Sequence, residues 1–359
     1  DTASMNRNFV LGFATDIGGG TSHAAIMAKG LGIPAVLGLG NISKNVKDGD
    51  YIIIDGTEGK VIINPDTGLK EEYKLKIYEY KKQRKKFEGS AFLPAVTTDE
   101  RKVEIAGNIG TPEDIESVIA RGGDGVGLFR TEFLYMDRDS LPTEEEQFEV
   151  YRKAAAAFEG KPVIIRTMDI GGDKKLRYLE LPEGMNPFLG WRAIRICLER
   201  KDIFKTQLRA ILRASTYGNI MIMFPMISGV GELRAAKEVL EEAKSELRRE
   251  NIEFNEDIKV GIMVEIPSAA ITADTIAKEA DFFSIGTNDL CQYSLAVDRM
   301  NPKVSKLFQP LHPGILKLIK HVIDASHRHG IFTGMCGGMA GSGEAAIILL
   351  GLGLDEYSM

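Results

Sequence analysis

From Val103 to Met359, short apolar runs alternate with helical stretches, and this alternation restricts the possible folds more than any other feature. The runs are Val103–Ile109, Gly125–Phe129, Val163–Arg166, Ile220–Met226, Val260–Glu265, Phe282–Ile285, Phe332–Cys336 and Glu356–Met359. Segments with helical character lie between them, among them Glu144–Phe158, Gly231–Arg249 and Pro313–His329. Strands separated by helices imply a parallel sheet. Eight such strands within about 255 residues match the size and count of a (β/α)8 barrel of the TIM type. The eighth run meets the chain end, so the expected barrel lacks its last helix.

The front of the chain reads differently. Residues 8–67 suggest a small α/β unit, with strand-like runs at Phe9–Phe13, Tyr51–Ile54 and Gly59–Pro65 and a hairpin connection at Asp55–Gly59. Lys70–Glu88 is dense in Lys, Glu and Arg, with Leu69, Tyr73, Ile77 and Tyr80 at helical spacing. It reads as a solvated connecting helix. The expected organisation is α/β throughout: a partial domain over 1–67, a helical linker or hinge over 68–95, and a barrel over 96–359.

Composition narrows the function classes. The 359 residues carry 45 Lys and Arg against 51 Asp and Glu, a net charge of -6 that argues against generic nucleic-acid binding. A local basic pocket for a small anion remains compatible with that charge. Cys197, Cys291 and Cys336 have no paired spacing, which points away from a disulfide framework or a zinc site and fits a reducing cytoplasm. No apolar run reaches membrane length, and the polar start does not read as a signal peptide.

Two groups of residues carry chemistry. The first is Gly18-Gly19-Gly20-Thr21-Ser22-His23, where a glycine-rich turn meets a short helical pattern. A helix N-terminus favours an anion such as a phosphoryl group, and imidazole is nucleophilic at neutral pH. His23 is thus a candidate phosphoryl carrier, although an ordinary cap would look the same in isolation. The second group lies at the C-terminal ends of the expected barrel strands, where such barrels gather reacting groups. These ends bring Arg130, Arg166, Glu265, Asn288 with Asp289, and Cys336, with Arg299 on the loop after strand six. Any one of them alone reads as a surface ion pair, or for Cys336 as a small buried hydrophobe. Together they suit a small phosphorylated carboxylic acid: arginine forks hold its oxygens, and two carboxylates with substrate oxygens suit Mg2+.

The Gly-Gly-x-Thr-Ser-His motif is followed in order by Arg-Thr-Glu-Phe, Arg-Thr-Met-Asp-Ile-Gly-Gly-Asp-Lys, Asn-Pro-Phe-Leu-Gly-Trp-Arg, Gly-Thr-Asn-Asp-Leu and Gly-Met-Cys-Gly. In this set the chain resembles the enzyme I family of the bacterial sugar phosphotransferase system, the phosphoenolpyruvate–protein phosphotransferases, from about residue 8 to 359. The resemblance implies a swivelling phosphohistidine domain followed by the barrel, with transfer from phosphoenolpyruvate to His23 and release of pyruvate. It implies that Thr21 orients His23, that Arg130, Arg166, Arg192, Asn288 and Arg299 hold the substrate, that Glu265 and Asp289 bind Mg2+, and that Cys336 protonates the enolate carbon. It further implies the small phosphocarrier protein HPr as acceptor and a homodimer formed through the barrel. The family's amino-terminal HPr-docking segment has no counterpart in these residues.

Three positions depart from the family's usual residues: Gly20 for arginine, Gly338 for glutamate and Cys291 for threonine. The first is expected to weaken contacts to the phosphoryl group, the second to alter the surroundings of Cys336. A fragment of pyruvate phosphate dikinase or phosphoenolpyruvate synthase shares the histidine turn and barrel chemistry, but no glycine-rich nucleotide loop is present. A non-catalytic phosphoenolpyruvate-binding protein is the other alternative. Cys197 and Cys291 read as structural, and His312, His321, His327 and His329 as surface or packing residues.

Overall fold

A computed structural model describes residues 9–18, 28, 32–136, 138–172, 176, 178–179, 186–301 and 303–359. The chain divides into two compact units, one of residues 1–90 with 300–302 and the other of residues 91–299 with 303–359.

In the first unit β1 (Phe13–Ala14) pairs in parallel with β2 (Ala35–Val36), while β3 (Ile52–Asp55) and β4 (Lys60–Ile63) form an antiparallel hairpin. The expected first strand is shorter than its apolar run, with Phe9 and Leu11 exposed. At the hairpin turn Asp55 Oδ1 accepts from the Thr57 and Glu58 amides, and Gly59 takes the left-handed φ of 66° that closes it. The connecting helix runs Thr67–Glu88, starting earlier than its charge pattern suggests because Asp66 caps it by accepting from the Leu69 amide at 2.8 Å. Tyr73 is buried, whereas Leu75, Ile77, Tyr78 and Tyr80 are exposed.

The second unit is a closed parallel barrel. Its strands are β5 (Glu104–Ile109), β6 (Val126–Phe129), β7 (Val163–Arg166), β8 (Ile220–Phe224), β9 (Lys259–Val264), β10 (Phe282–Ile285), β11 (Phe332–Met335) and β12 (Glu356–Ser358), each hydrogen-bonded to the next, with β12 closing onto β5. All eight expected strands are present, with ends that differ by two residues at most. Strands buried on both faces need apolar side chains on both, which is why each reads as a continuous apolar run. Along β7, Val163 and Ile165 join the core shared with the helices, while Ile164 belongs to a second cluster with Leu128, Met221, Met223, Met263, Phe282 and Cys336. Because successive strand residues point to opposite faces, this second cluster fills the barrel lumen. Space there is tight: a Cβ on Gly261 would lie 2.6 Å from the Phe282 ring.

The helices cover the outside. Thr143 and Glu146 form a reciprocal capping box at the start of helix Glu144–Ala157. Helix Lys201–Ala214 presents Ile203, Phe204, Leu208, Ile211 and Leu212 to the core. No described helix is long and apolar enough to cross a membrane.

Candidate active site

Arg130, Arg166, Glu265 and Cys336 all lie at or one residue beyond the C-terminal ends of their strands. Asn288 and Asp289 lie further on, in the first turn of helix Thr287–Leu295 rather than at the strand end. The strand-end backbones still bond the neighbouring strands, Arg130 to the Ile109 carbonyl and Cys336 to the Ile285 carbonyl, so the barrel rim fixes where these residues stand.

Arg166 is the hub. Its Nη2 donates to Glu132 Oε1 at 2.6 Å, its Nη1 lies 3.1 Å from Asp169 Oδ2, and all three side chains are buried. Asp169 also accepts from Arg192 Nη2 at 2.9 Å, and Arg192 Nη1 donates to the Tyr293 hydroxyl at 3.2 Å. Arg299 Nη1 donates to Asp289 Oδ1 at 2.7 Å, and Arg192 Nη2 lies 3.8 Å from Asp289 Oδ2. The mouth thus chains Glu132, Arg166, Asp169, Arg192, Asp289 and Arg299 into one network. Although burial disfavours their charge, the carboxylates beside them raise the pKa of Arg166 and of Arg192 above the ordinary arginine value. The Arg166 and Arg192 Nε groups are buried without a partner, as is the Thr167 hydroxyl. Buried donors left unpaired are unfavourable, and an anionic ligand would satisfy them.

Arg130 keeps part of its side chain in solvent, while the loss of water around its guanidinium and then the Arg166 charge lower its pKa. Asn288 is exposed, its Oδ1 accepting from the Gly338 amide at 3.3 Å. A Cβ at Gly338 would meet Asn288 Oδ1 at 3.4 Å, ordinary contact, so the glycine is not imposed by space.

Cys336 is buried in the lumen cluster. Burial pushes its thiol up to about 11, against opposing effects of Ser284 and Arg166, so it is protonated at neutral pH. A protonated thiol there is suited to donate a proton.

Glu265 Oε1 accepts from the Met226 amide at 2.6 Å. Burial, then the Asp289 and Asp169 charges, raise its pKa. A divalent cation beside Glu265 and Asp289 would relieve that repulsion, and both are hard oxygen ligands. Among the described residues no group of three or more His, Cys, Asp or Glu side chains is placed to hold a metal. A cation held by these two carboxylates therefore needs oxygens from a ligand or water, the usual habit of Mg2+.

His23 and Thr21 lie outside the described residues. His312 caps helix Pro313–Arg328 through its Nδ1, and His327 pairs with Asp355 at 2.8 Å, both surface roles. Cys197 and Cys291 are buried. Glu132 and Asp169 stand in the sequence motifs without a role, and Tyr293 lies outside those motifs. Acidic residues within three positions of a strand-end arginine were the available signal for the first two.

Residues 84–359 match the family described as PEP-utilising enzyme, PEP-binding domain, and residues 1–59 match PEP-utilising enzyme, mobile domain. The phosphoenolpyruvate-protein phosphotransferase of Priestia megaterium is 57% identical over 359 residues, covering 100% of this chain and 63% of its own. Its namesake from Listeria monocytogenes is 56% identical over the same 359 residues, again 100% of this chain and 63% of its own. The chain therefore spans just under two thirds of the length of these relatives. Among solved structures, a citrate lyase from Burkholderia xenovorans LB400 is 15% identical with a TM-score of 0.47, covering 71% of this chain and 72% of that one.

Proposed function

The chain belongs to the PEP-utilising enzyme family, and from that premise we propose that it is a phosphoenolpyruvate-dependent protein phosphotransferase. The observation that carries this reading is the barrel mouth, where Arg166, Arg192 and Arg299 converge beside a thiol that stays protonated. In this reading the arginines, with Arg130 and Asn288, hold the phosphate and carboxylate of phosphoenolpyruvate. The His23 imidazole attacks phosphorus, the bond from phosphorus to the enol oxygen breaks, and its electron pair returns to the enolate. Cys336 then gives its proton to the enolate carbon, pyruvate leaves, and solvent restores the thiol. Glu265 and Asp289 would hold Mg2+, which would supply neutralisation of phosphoryl charge.

Transfer requires His23, oriented by Thr21, to approach the mouth, with residues 68–95 as hinge between a phosphohistidine domain over 1–67 and the barrel domain over 96–359. The phosphoryl group passes onward to HPr, the acting form is a cytoplasmic homodimer joined through the barrel, and no nucleic acid or membrane takes part. The names of the relatives favour this over a nucleotide-dependent enzyme.

Incubation with labelled phosphoenolpyruvate and Mg2+, without nucleotide, tests it. Acid-labile label on His23, absent from His23→Ala, is the expected result. Folded protein that binds phosphoenolpyruvate yet takes no label would leave a binding protein in its place.

A further inference from the structure

Resting on the reading above, we infer that Gln207, remote from the substrate on helix Lys201–Ala214, is a positioning residue that clamps the two loops carrying the substrate-binding arginines. Its side chain is fully buried, yet all its polar atoms are engaged. Gln207 Oε1 accepts from the Met168 amide at 2.8 Å. Its Nε2 donates to Thr131 Oγ1 at 3.1 Å and to the Tyr151 hydroxyl at 3.2 Å. Thr131 Oγ1 in turn donates to the Arg166 carbonyl at 3.0 Å. Tyr151 donates onward to Gln147 Oε1 at 3.1 Å, which Tyr135 also reaches at 3.2 Å.

The donor directions leave one consistent assignment. The Met168 amide can only donate, so the glutamine oxygen faces it and its nitrogen faces the two hydroxyls. Each hydroxyl accepts one bond and passes one on. Such a fully satisfied buried network is rigid and specific.

Its location gives it consequence. Thr131 stands between Arg130 and Glu132, and Glu132 holds Arg166. Met168 stands one residue before Asp169, which bridges Arg166 and Arg192. The Thr167 amide donates to the Met223 carbonyl of β8 at 3.0 Å. The Met168 amide, facing the opposite side of the chain from the Thr167 amide, bonds Gln207 Oε1. One amide therefore sets the spacing of the loop after β6 relative to the loop after β7, and with it the positions of Glu132 and Asp169 around Arg166. Displacements of about 1 Å from productive geometry can reduce rates by about a hundredfold.

The full chain is compared with Gln207→Leu, Thr131→Val, Thr131→Ser and Leu208→Ala. The readouts are the dependence of His23 labelling on phosphoenolpyruvate concentration and amide exchange at Met168. Gln207→Leu and Thr131→Val are expected to raise the half-saturating concentration and lower the limiting rate, each on the order of tenfold. Both should also speed Met168 exchange by at least about tenfold, while Thr131→Ser, which keeps the hydroxyl, stays within about twofold of the parent in all three. Leu208→Ala, a neighbouring core truncation, is expected to lower the melting midpoint while leaving the labelling parameters unchanged. Unchanged labelling and Met168 exchange in folded Gln207→Leu would overturn the clamp, and so would equal impairment by Leu208→Ala. If the parent takes no label, the phosphotransferase reading falls, and Met168 exchange still decides for or against the clamp.

Discussion

The mouth of the barrel and its outer flank are built from the same side chains, arginine against glutamate and aspartate, with opposite energetics. On the flank, helices Glu144–Ala157, Lys201–Ala214 and Val230–Arg249 are laced by Arg209 to Glu144 and Glu250, Arg213 to Glu144, Lys205 to Glu246 and Lys201 to Glu242. Two of these five pairs keep a partner well solvated, Glu250 at 49% and Lys201 at 50%, and the other three are half-buried. Pairs of that kind contribute about 0.2–1 kcal/mol each. In the mouth, Arg166 and Glu132 are 7% and 6% exposed. Removing such charges from water opposes folding, and their mutual attraction offsets that only while every partner is in place. The flank network supports the fold, whereas the mouth network is tolerated by it and suits the anionic ligand proposed above.

That contrast can be broken at its strong end first. Arg166→Leu leaves Glu132 and Asp169 buried without their shared guanidinium and is expected to lose about 3–5 kcal/mol in denaturant unfolding. A loss below about 1 kcal/mol would place the mouth in the flank's regime.

Glu356 sharpens the comparison inside the lumen. Its Oε1 is buried without a partner and lies against Gly127 and Gly334, where a Cβ would come within 2.4 and 2.7 Å. Burial, then Glu104 and Asp355, raise its carboxyl to about 8. The folded state therefore binds the proton more tightly than the unfolded chain, whose glutamate titrates near about 4.3. Its contribution to stability is complete below that value and is lost as pH rises through about 8. Glu356→Gln, which cannot ionise, is expected to gain on the order of 1–3 kcal/mol relative to the parent between pH 5 and pH 8. Parallel stability profiles for the two proteins over that range would refute the assignment.

The smallest effect belongs to the flank. Arg209→Ala is expected to lose about 1 kcal/mol, and the difference from the parent should shrink in about 1 M salt as screening shortens the reach of exposed charges. A salt-independent loss would mean that the packed arginine stem matters more than its charge.

Much of this was legible in the sequence because a parallel barrel repeats one demand. Each strand must be apolar on both faces, so Val163–Arg166 and Phe282–Ile285 declare themselves residue for residue. The front unit was harder: the parallel pair of Phe13–Ala14 with Ala35–Val36 is too short to leave a periodic signal. The strand-end rule located Arg166, Glu265 and Cys336. It placed Asn288 and Asp289 on a strand when they open the following helix, because helix and strand propensities do not differ enough across Gly286-Thr287 to mark the boundary. Glu132 and Asp169 appeared in the motifs without roles, since a carboxylate near an arginine in sequence shows nothing of which guanidinium it will meet.

By itself the sequence determined the strand count, the parallel order and the identity of the groups at the mouth, because those follow from local periodicity and from which residues end each apolar run. The tertiary structure alone decided the pairings among those groups, the burial that keeps the Cys336 thiol protonated, and the reach of Gln207 to Thr131 and Met168. Those depend on distances across 76 and 39 residues of chain, and closure of the barrel, not local propensity, sets such distances.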